Sequence, residues 1–263
     1  MRIHDGAYGT LLARHLHGDE TVDDLCVRAP RLVIDAHRAY LESGATAIQT
    51  NSFLVHLRGS DRRRSVLRAA ALECAREAAA VAQTPAEVFV TIGPADDRPR
   101  SYWEPVEQAL DAGVRSIVCE TVTSRPIADA FLDAWREVAS GVVDSTVLLG
   151  CSVDPTDAAR AGWVVDLAGD APDDVQLGLN CCSGPSGIGG LLAQIVEQRG
   201  TSWAMPSAGI PARTDAPHDL DYPFADPTRW SSTLLDEITG LDLVGIGGCC
   251  GTTPASILAL QRD

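Results

Sequence analysis

The sequence predicts a single-domain α/β protein, a (β/α)8 TIM barrel. Eight short apolar, β-prone segments recur along 263 residues, and runs with apolar residues at three- and four-residue spacing lie between most of them. The chemically distinctive residues all follow the strand candidates, which is where a barrel of this kind gathers its active site.

Parallel strands need crossovers of a dozen or more residues, usually helical, so the alternation implies a parallel sheet with helices outside. Eight repeats favour closure. An open doubly wound sheet would need G-x-G-x-x-G after its first strand, whereas "DGAYGTLL" has only Gly6 and Gly9. No low-complexity linker divides the chain, so one domain is expected over 1–263.

The first strand candidate is 3–5, a short run ending in Asp5 and Gly6. Further strands are expected at 45–49, 88–92, 116–119, 146–153, 176–179, 202–205 and 243–246. Helices are expected at "RLVIDAHRAYLESG", "SVLRAAALECAREAAAVA", "WEPVEQALDAG", "RPIADAFLDAWREVAS", "GIGGLLAQIVEQR", "PTRWSSTLLDEITG" and the short "PASILALQRD". A proline-rich loop, "PSAGIPARTDAPHDLDYP" at 206–223, follows strand seven.

Lys and Arg number 21 against 36 Asp and Glu, a net charge of −15. That excludes a general grip on nucleic acid or on an anionic membrane, both of which need a basic surface. The first ten residues hold no apolar leader core, and no window reaches the roughly 18 apolar residues of a membrane span. A cytoplasmic protein is expected. Eight cysteines there suit metal ligands, reactive thiols or small core residues better than disulfides.

In the barrel reading, strand one ends in Asp5 and Gly6, strand two in "TNSF", strand four in Glu120 and Thr121, strand six in "NCC" (180–182), strand seven in "PSAG" and strand eight in "GGCCG". Cys181 or Cys182 then faces Cys249 and Cys250 across one mouth. Three thiolates suit zinc, and three protein ligands leave a fourth position open, as catalytic zinc sites do. The neighbouring glycines allow the turn that two consecutive ligands require. Cys26, Cys74, Cys119 and Cys151 lie in apolar runs and read as space-filling core residues.

The motifs "DGAYGTLL", "TNSF", "CETVTS", "GLNCCSG", "PSAGIP" and "GGCCGTTP" occur in the order seen in the homocysteine S-methyltransferase family. The chain resembles that family over nearly its whole length; its members include the homocysteine-binding module of cobalamin-dependent methionine synthase and betaine-homocysteine methyltransferase. The resemblance implies Zn2+ on Cys181, Cys249 and Cys250, with Cys182 an extra cysteine beside the matched one. It implies an enzyme that activates homocysteine as a zinc thiolate and methylates it to methionine. It also implies that Asp5 and Glu120 accept hydrogen bonds from the homocysteine ammonium, while the Gly6 and Ala7 amides meet its carboxylate. Without the resemblance, Asp5 reads as an Asx turn or helix cap and Glu120 as the partner of a loop arginine. Asn51 and Asn180 either brace the site or serve ordinary turns.

The chain departs from the family pattern in places. "TIGPADDRPRSYWEPVEQAL" is compact where a longer loop is common, Ser207 stands where asparagine is usual, and no cobalamin- or folate-binding domain is expected before the end at Asp263. The expected methyl donor is therefore a sulfonium (S-adenosylmethionine or S-methylmethionine), drawn to an acidic mouth, or a methylcorrinoid on a separate protein. Betaine fits less well, because aromatic residues are only 5% of the chain and quaternary ammonium groups favour aromatic cages. Trp103, Trp163, Tyr102 and Tyr222 are the candidates for one. Methylation of another thiol or selenol, or zinc and thiol binding without turnover, are the alternatives. His15, His17, His37, His56 and His218 read as solvated or core-edge residues, and "RGSDRRRSVLR" as a solvated helix start.

Overall fold

Eight parallel strands make the central sheet, in the order β1 (Arg2–Ile3), β10 (Leu243–Ile246), β7 (Ser202–Pro206), β6 (Val175–Cys181), β5 (Thr146–Cys151), β4 (Ser116–Val122), β3 (Glu87–Ile92) and β2 (Ala47–Gln49). The ends of this order meet. Thr46 N–H donates to Ile3 O at 2.7 Å, Asp5 N–H donates to Ala47 O at 3.1 Å, and His4 bridges Ala47 in parallel, so β1 and β2 close the barrel. The computed structural model describes residues 1–213 and 220–261. His218 lies outside the described residues, as does part of the proline-rich loop. The described ends of that loop pair as an antiparallel ribbon, β8 (Ala212–Arg213) with β9 (Leu220–Asp221).

Helices cover the barrel outside: α3 (Pro30–Glu42), α4 (Asp61–Ala80), α5 (Arg100–Asp111), α6 (Arg125–Val138), α7 (Ala158–Asp170), α8 (Gly189–Arg199), α9 (Pro227–Glu237) and the short α10 (Pro254–Ala259). Their starts are written in local chemistry. Proline opens α3, α6, α9 and α10, and the side chains of Ser60, Asp157 and Asp226 accept backbone N–H groups at the heads of α4, α7 and α9. Helix α7 was not among the expected helices: "AARAGWVVDLAGD" carries two glycines and a diffuse apolar pattern. The parallel pairing of β5 with β6 nevertheless requires a crossover there. Two further short helices, α1 (Tyr8–Leu12) and α2 (Leu25–Arg28), lie on the mouth side of β1. Among the described residues, no helix is long and apolar enough to cross a membrane.

The barrel interior holds an apolar plug of Ala47, Phe89, Val118, Leu148, Trp203 and Met205. Trp203 is fully buried, its indole N–H donating to Gln176 O at 2.9 Å. Gly178 makes the room for it: a Cβ there would stand 2.3 Å from Trp203 O and 2.6 Å from the indole ring. Above the plug the side chains turn polar. Thr91 Oγ1 donates to Gln49 Oε1 at 3.3 Å, and Asn180 Nδ2 donates to Glu120 Oε2 at 2.9 Å. The floor of the mouth is thus polar and hydrogen-bonded, over an apolar base.

Cys26, Cys74, Cys119 and Cys151 are buried, as expected for core cysteines. The arginine run departs from expectation. Arg68 is 8% exposed, giving hydrogen bonds of 2.6 Å to Glu104 and 2.7 Å to Gln108 on α5, while Arg58 and Arg63 both pair with Asp24. This stretch ties α4 to its neighbours instead of lying wholly in solvent.

Candidate metal centre and substrate cavity

The Sγ atoms of Cys181, Cys249 and Cys250 all lie within 4.8 Å of one another at the barrel mouth. Two turns bring them together. Strand β6 ends at Cys181, where the backbone enters the left-handed region at φ 60° and continues through Cys182 at φ 51°. This turn separates the adjacent sulfurs. Cys181 Sγ reaches 3.8 Å from Cys250 Sγ, whereas Cys182 Sγ turns back onto Asn180 O at 3.4 Å and Cys151 O at 3.7 Å. Two successive non-glycine residues in this region cost roughly 1–3 kcal/mol each, a strain characteristic of functional sites.

The second turn follows β10. Cys249 N–H donates to Pro206 O at 3.0 Å, and Cys250 O accepts from Ala208 N–H at 2.7 Å, so the pair is stitched to the loop after β7. Gly251, at φ +81°, ends the pair; a Cβ there would lie 2.6 Å from the Tyr222 ring. Ser207 donates its N–H to Cys181 O at 2.7 Å. The clustered thiols perturb one another. Hydrogen bonds from Cys181 and Cys249 hold Cys250 well below the usual thiol range, and the two donors are pushed up.

A cavity of about 190 Å³ opens beside the three sulfurs, lined among others by Gly6, Ala7, Tyr8, Asn51, Phe53 and Glu120. Glu120 borders it, and burial, then the charges of Cys250 and Asp5, push its carboxyl up to about 8. Its described partner is Asn180, not an arginine; the same Asn180 accepts from Thr121 N–H through Oδ1 at 2.8 Å. Asp5 is fully buried and does not line the cavity. Its Oδ2 accepts from Tyr8 OH and, at 2.8 Å, from Gln49 N–H, whereas Oδ1 is buried without a partner. Burial raises this carboxyl to about 7 even though both hydrogen bonds favour the ionised form. The Gly6 and Ala7 amides donate to no other group in the described hydrogen bonding. Asn51 Nδ2 donates to Val22 O at 2.7 Å, tying the loop after β2 to the turn before α2.

Residues 2–263 match the family described as homocysteine S-methyltransferase. The chain belongs to that family. Methionine synthase of Mycobacterium tuberculosis is 27% identical over 98% of the chain, and that of Mycobacterium leprae 26% over 98%. The chain spans about a quarter (24%) of the length of each. Among solved structures, the Escherichia coli homocysteine methyltransferase MmuM superposes in its metallated form with a TM-score of 0.71 at 22% identity, covering 100% of this chain and 96% of MmuM. Its oxidized form matches equally well, with a TM-score of 0.71 at 22% identity over 99% and 95%. At this identity the likeness is one of fold, a (β/α)8 barrel.

Within this homocysteine S-methyltransferase family framework, some neighbours of the site were not legible in the sequence. His37, read as a residue of a solvated or edge face, is fully buried on α3, with Nδ1 2.7 Å from Tyr8 OH. Tyr40, also fully buried, donates to Ala7 O at 3.0 Å and holds the turn after Asp5. The aromatic "DGAYG" position and the i, i+3 spacing of His37 and Tyr40 were the available signals. Tyr102, Trp103, Trp163 and Tyr222 line no part of the cavity.

Proposed function

We propose that this chain binds homocysteine and transfers a methyl group to its sulfur, giving methionine, with Zn2+ held by Cys181, Cys249 and Cys250. The observation that carries this reading is the convergence of three thiols on a small cavity bordered by a carboxylate. The donor set fits the ion. A tetrahedral centre with Zn–S bonds of about 2.3 Å has sulfur–sulfur edges of about 3.8 Å, and three protein ligands leave one corner for a substrate; the Cys181–Cys250 separation is 3.8 Å. When bound there, zinc supplies the positive charge that keeps a substrate thiol ionised near neutral pH.

The remaining work falls to the chain. Glu120 on the cavity wall, with Asp5 buried just behind it and its Oδ1 unpartnered, holds the ammonium group, and the Gly6 and Ala7 amides meet the carboxylate, so that the sulfur is held at the cysteine cluster. Asn180 fixes the Glu120 carboxylate, and Asn51 braces the adjoining loop. In the transfer a new S–CH3 bond forms as the bond from methyl to its carrier breaks, and the thiol proton has by then left to solvent.

A cavity of about 190 Å³ is small beside the roughly 300–1,000 Å³ of pockets that enclose drug-sized ligands, so the bulk of the donor stays at the mouth. The donor is a sulfonium, S-adenosylmethionine or S-methylmethionine, or a methylcorrinoid on a separate protein; the net charge of −15 supports a cation. A cytoplasmic setting keeps the eight cysteines reduced. The test incubates zinc-loaded protein with homocysteine and each donor in turn and measures methionine by mass. Methionine from at least one donor is expected. Turnover of another thiol or selenol in preference to homocysteine, or zinc binding without turnover by any donor, overturns the reading.

A further inference from the structure

Asp5 is held from two sides. Its carboxyl is fully buried behind the cavity wall, with Oδ1 lacking any described partner, while the Gln49 N–H reaches Oδ2 at 2.8 Å from β2. Two side chains secure the same oxygen from the other side. Tyr8 sits 7% exposed at the start of α1, its hydroxyl against Asp5 Oδ2, and the same hydroxyl lies 2.7 Å from Nδ1 of the fully buried His37. The Tyr8 ring packs on His37 with centroids 4.6 Å apart and meets Tyr40 edge-on at 5.4 Å, so its position is fixed on two sides.

Packing alone does not account for this pair. Burying an imidazole whose Nε2 has no partner is costly, and a leucine or phenylalanine would fill the space on α3 without that penalty. With Nδ1–H donated to Tyr8 oxygen, the hydroxyl proton has one acceptor left, the Asp5 carboxylate. The chain of bonds therefore has a single direction, from α3 inward to the mouth.

We propose that Tyr8 and His37 form a buried brace that pins Asp5 through Oδ2 and aims Oδ1 at the ammonium group of the substrate, making them the positioning residues that select an amino thiol over a simple thiol. This rests on the reading of Asp5 as an ammonium acceptor. A brace of this kind contributes nothing to binding a thiol that lacks the amino group.

The test is calorimetric titration of zinc-loaded protein with L-homocysteine and with 4-sulfanylbutanoate, which keeps thiol and carboxylate but lacks the ammonium. Wild type is expected to prefer homocysteine strongly. In Tyr8→Phe, homocysteine affinity should fall about tenfold or more while 4-sulfanylbutanoate changes less than about twofold, with zinc content and melting temperature monitored alongside. His37→Leu should behave in the same way, and His37→Asn, which restores an N–H near Nδ1, should recover most of the preference. Equal preference in wild type and Tyr8→Phe overturns the brace while leaving Asp5 as the acceptor. Absence of any preference in wild type overturns the Asp5 reading, and the brace with it.

Discussion

Cys181 Sγ and Cys250 Sγ stand 3.8 Å apart although 69 residues separate them in the chain. Free thiols that close, on the wall of a cavity and with a third sulfur beside them, could hold a metal ion together. The left-handed backbone at Cys181 and the Gly251 turn impose that arrangement.

The cluster predicts an asymmetric response to cysteine substitution. Cys181→Ser, Cys249→Ser and Cys250→Ser should each lower zinc affinity by at least about 100-fold, beyond the effect of losing an outer-shell partner, and remove methyl transfer. Cys182→Ser should keep one zinc per chain, because its sulfur turns away from the other three. Metal content after dialysis against a chelator distinguishes the two behaviours.

The carboxylates should separate substrate binding from metal binding. Asp5→Asn and Glu120→Gln are each expected to weaken homocysteine binding by roughly 10- to 100-fold, the scale of a lost charge-assisted hydrogen bond, with zinc stoichiometry unchanged. Calorimetry on zinc-loaded variants reads both quantities. Unchanged affinity would remove these residues from the substrate site.

The raised Asp5 carboxyl gives a pH dependence of known sign. An ammonium ligand needs the ionised forms of both carboxyls, so affinity should begin to fall as pH drops below about 8, where Glu120 takes a proton, and fall more steeply below about 7, where Asp5 follows. L-methionine is the suitable ligand, since it has no thiol proton of its own. In the ligand-free protein Asp5 binds more proton folded than unfolded, so its contribution to stability declines as pH rises from about 4 towards 7. Asp5→Asn should remove the lower step from the binding profile and leave the one that belongs to Glu120.

The order of the strands, and the chemistry at their ends, were legible because each parallel strand is a short apolar run whose polar successor falls at one face. All eight barrel strands lie at or within a few residues of the expected segments. Helix α7 was hidden by its glycines, and the β8–β9 ribbon by proline and glycine that read only as loop. The choice between Cys181 and Cys182 depends on a backbone sign that sequence does not carry. The Tyr8–His37 contact that extends the chain from Asp5 joins residues 29 positions apart, which helical periodicity on α3 could not disclose.

The barrel plug should be sensitive to volume in both directions. Trp203→Ala should cost about 3–5 kcal/mol by opening a cavity, and Gly178→Ala about 1–3 kcal/mol by pressing a methyl group into the indole. Chemical denaturation of the metal-free protein measures both. A neutral Gly178→Ala would mean that the plug yields more readily than its contacts imply.

The central claim is that the three sulfurs hold one metal ion and leave a place for a fourth sulfur from the substrate. Zinc-edge X-ray absorption on the loaded protein, before and after addition of homocysteine, measures it most directly. Three sulfur neighbours at about 2.3 Å, rising to four with homocysteine, is the predicted result. A sulfur count that does not change on adding homocysteine, or a shell without cysteine sulfur, would contradict it.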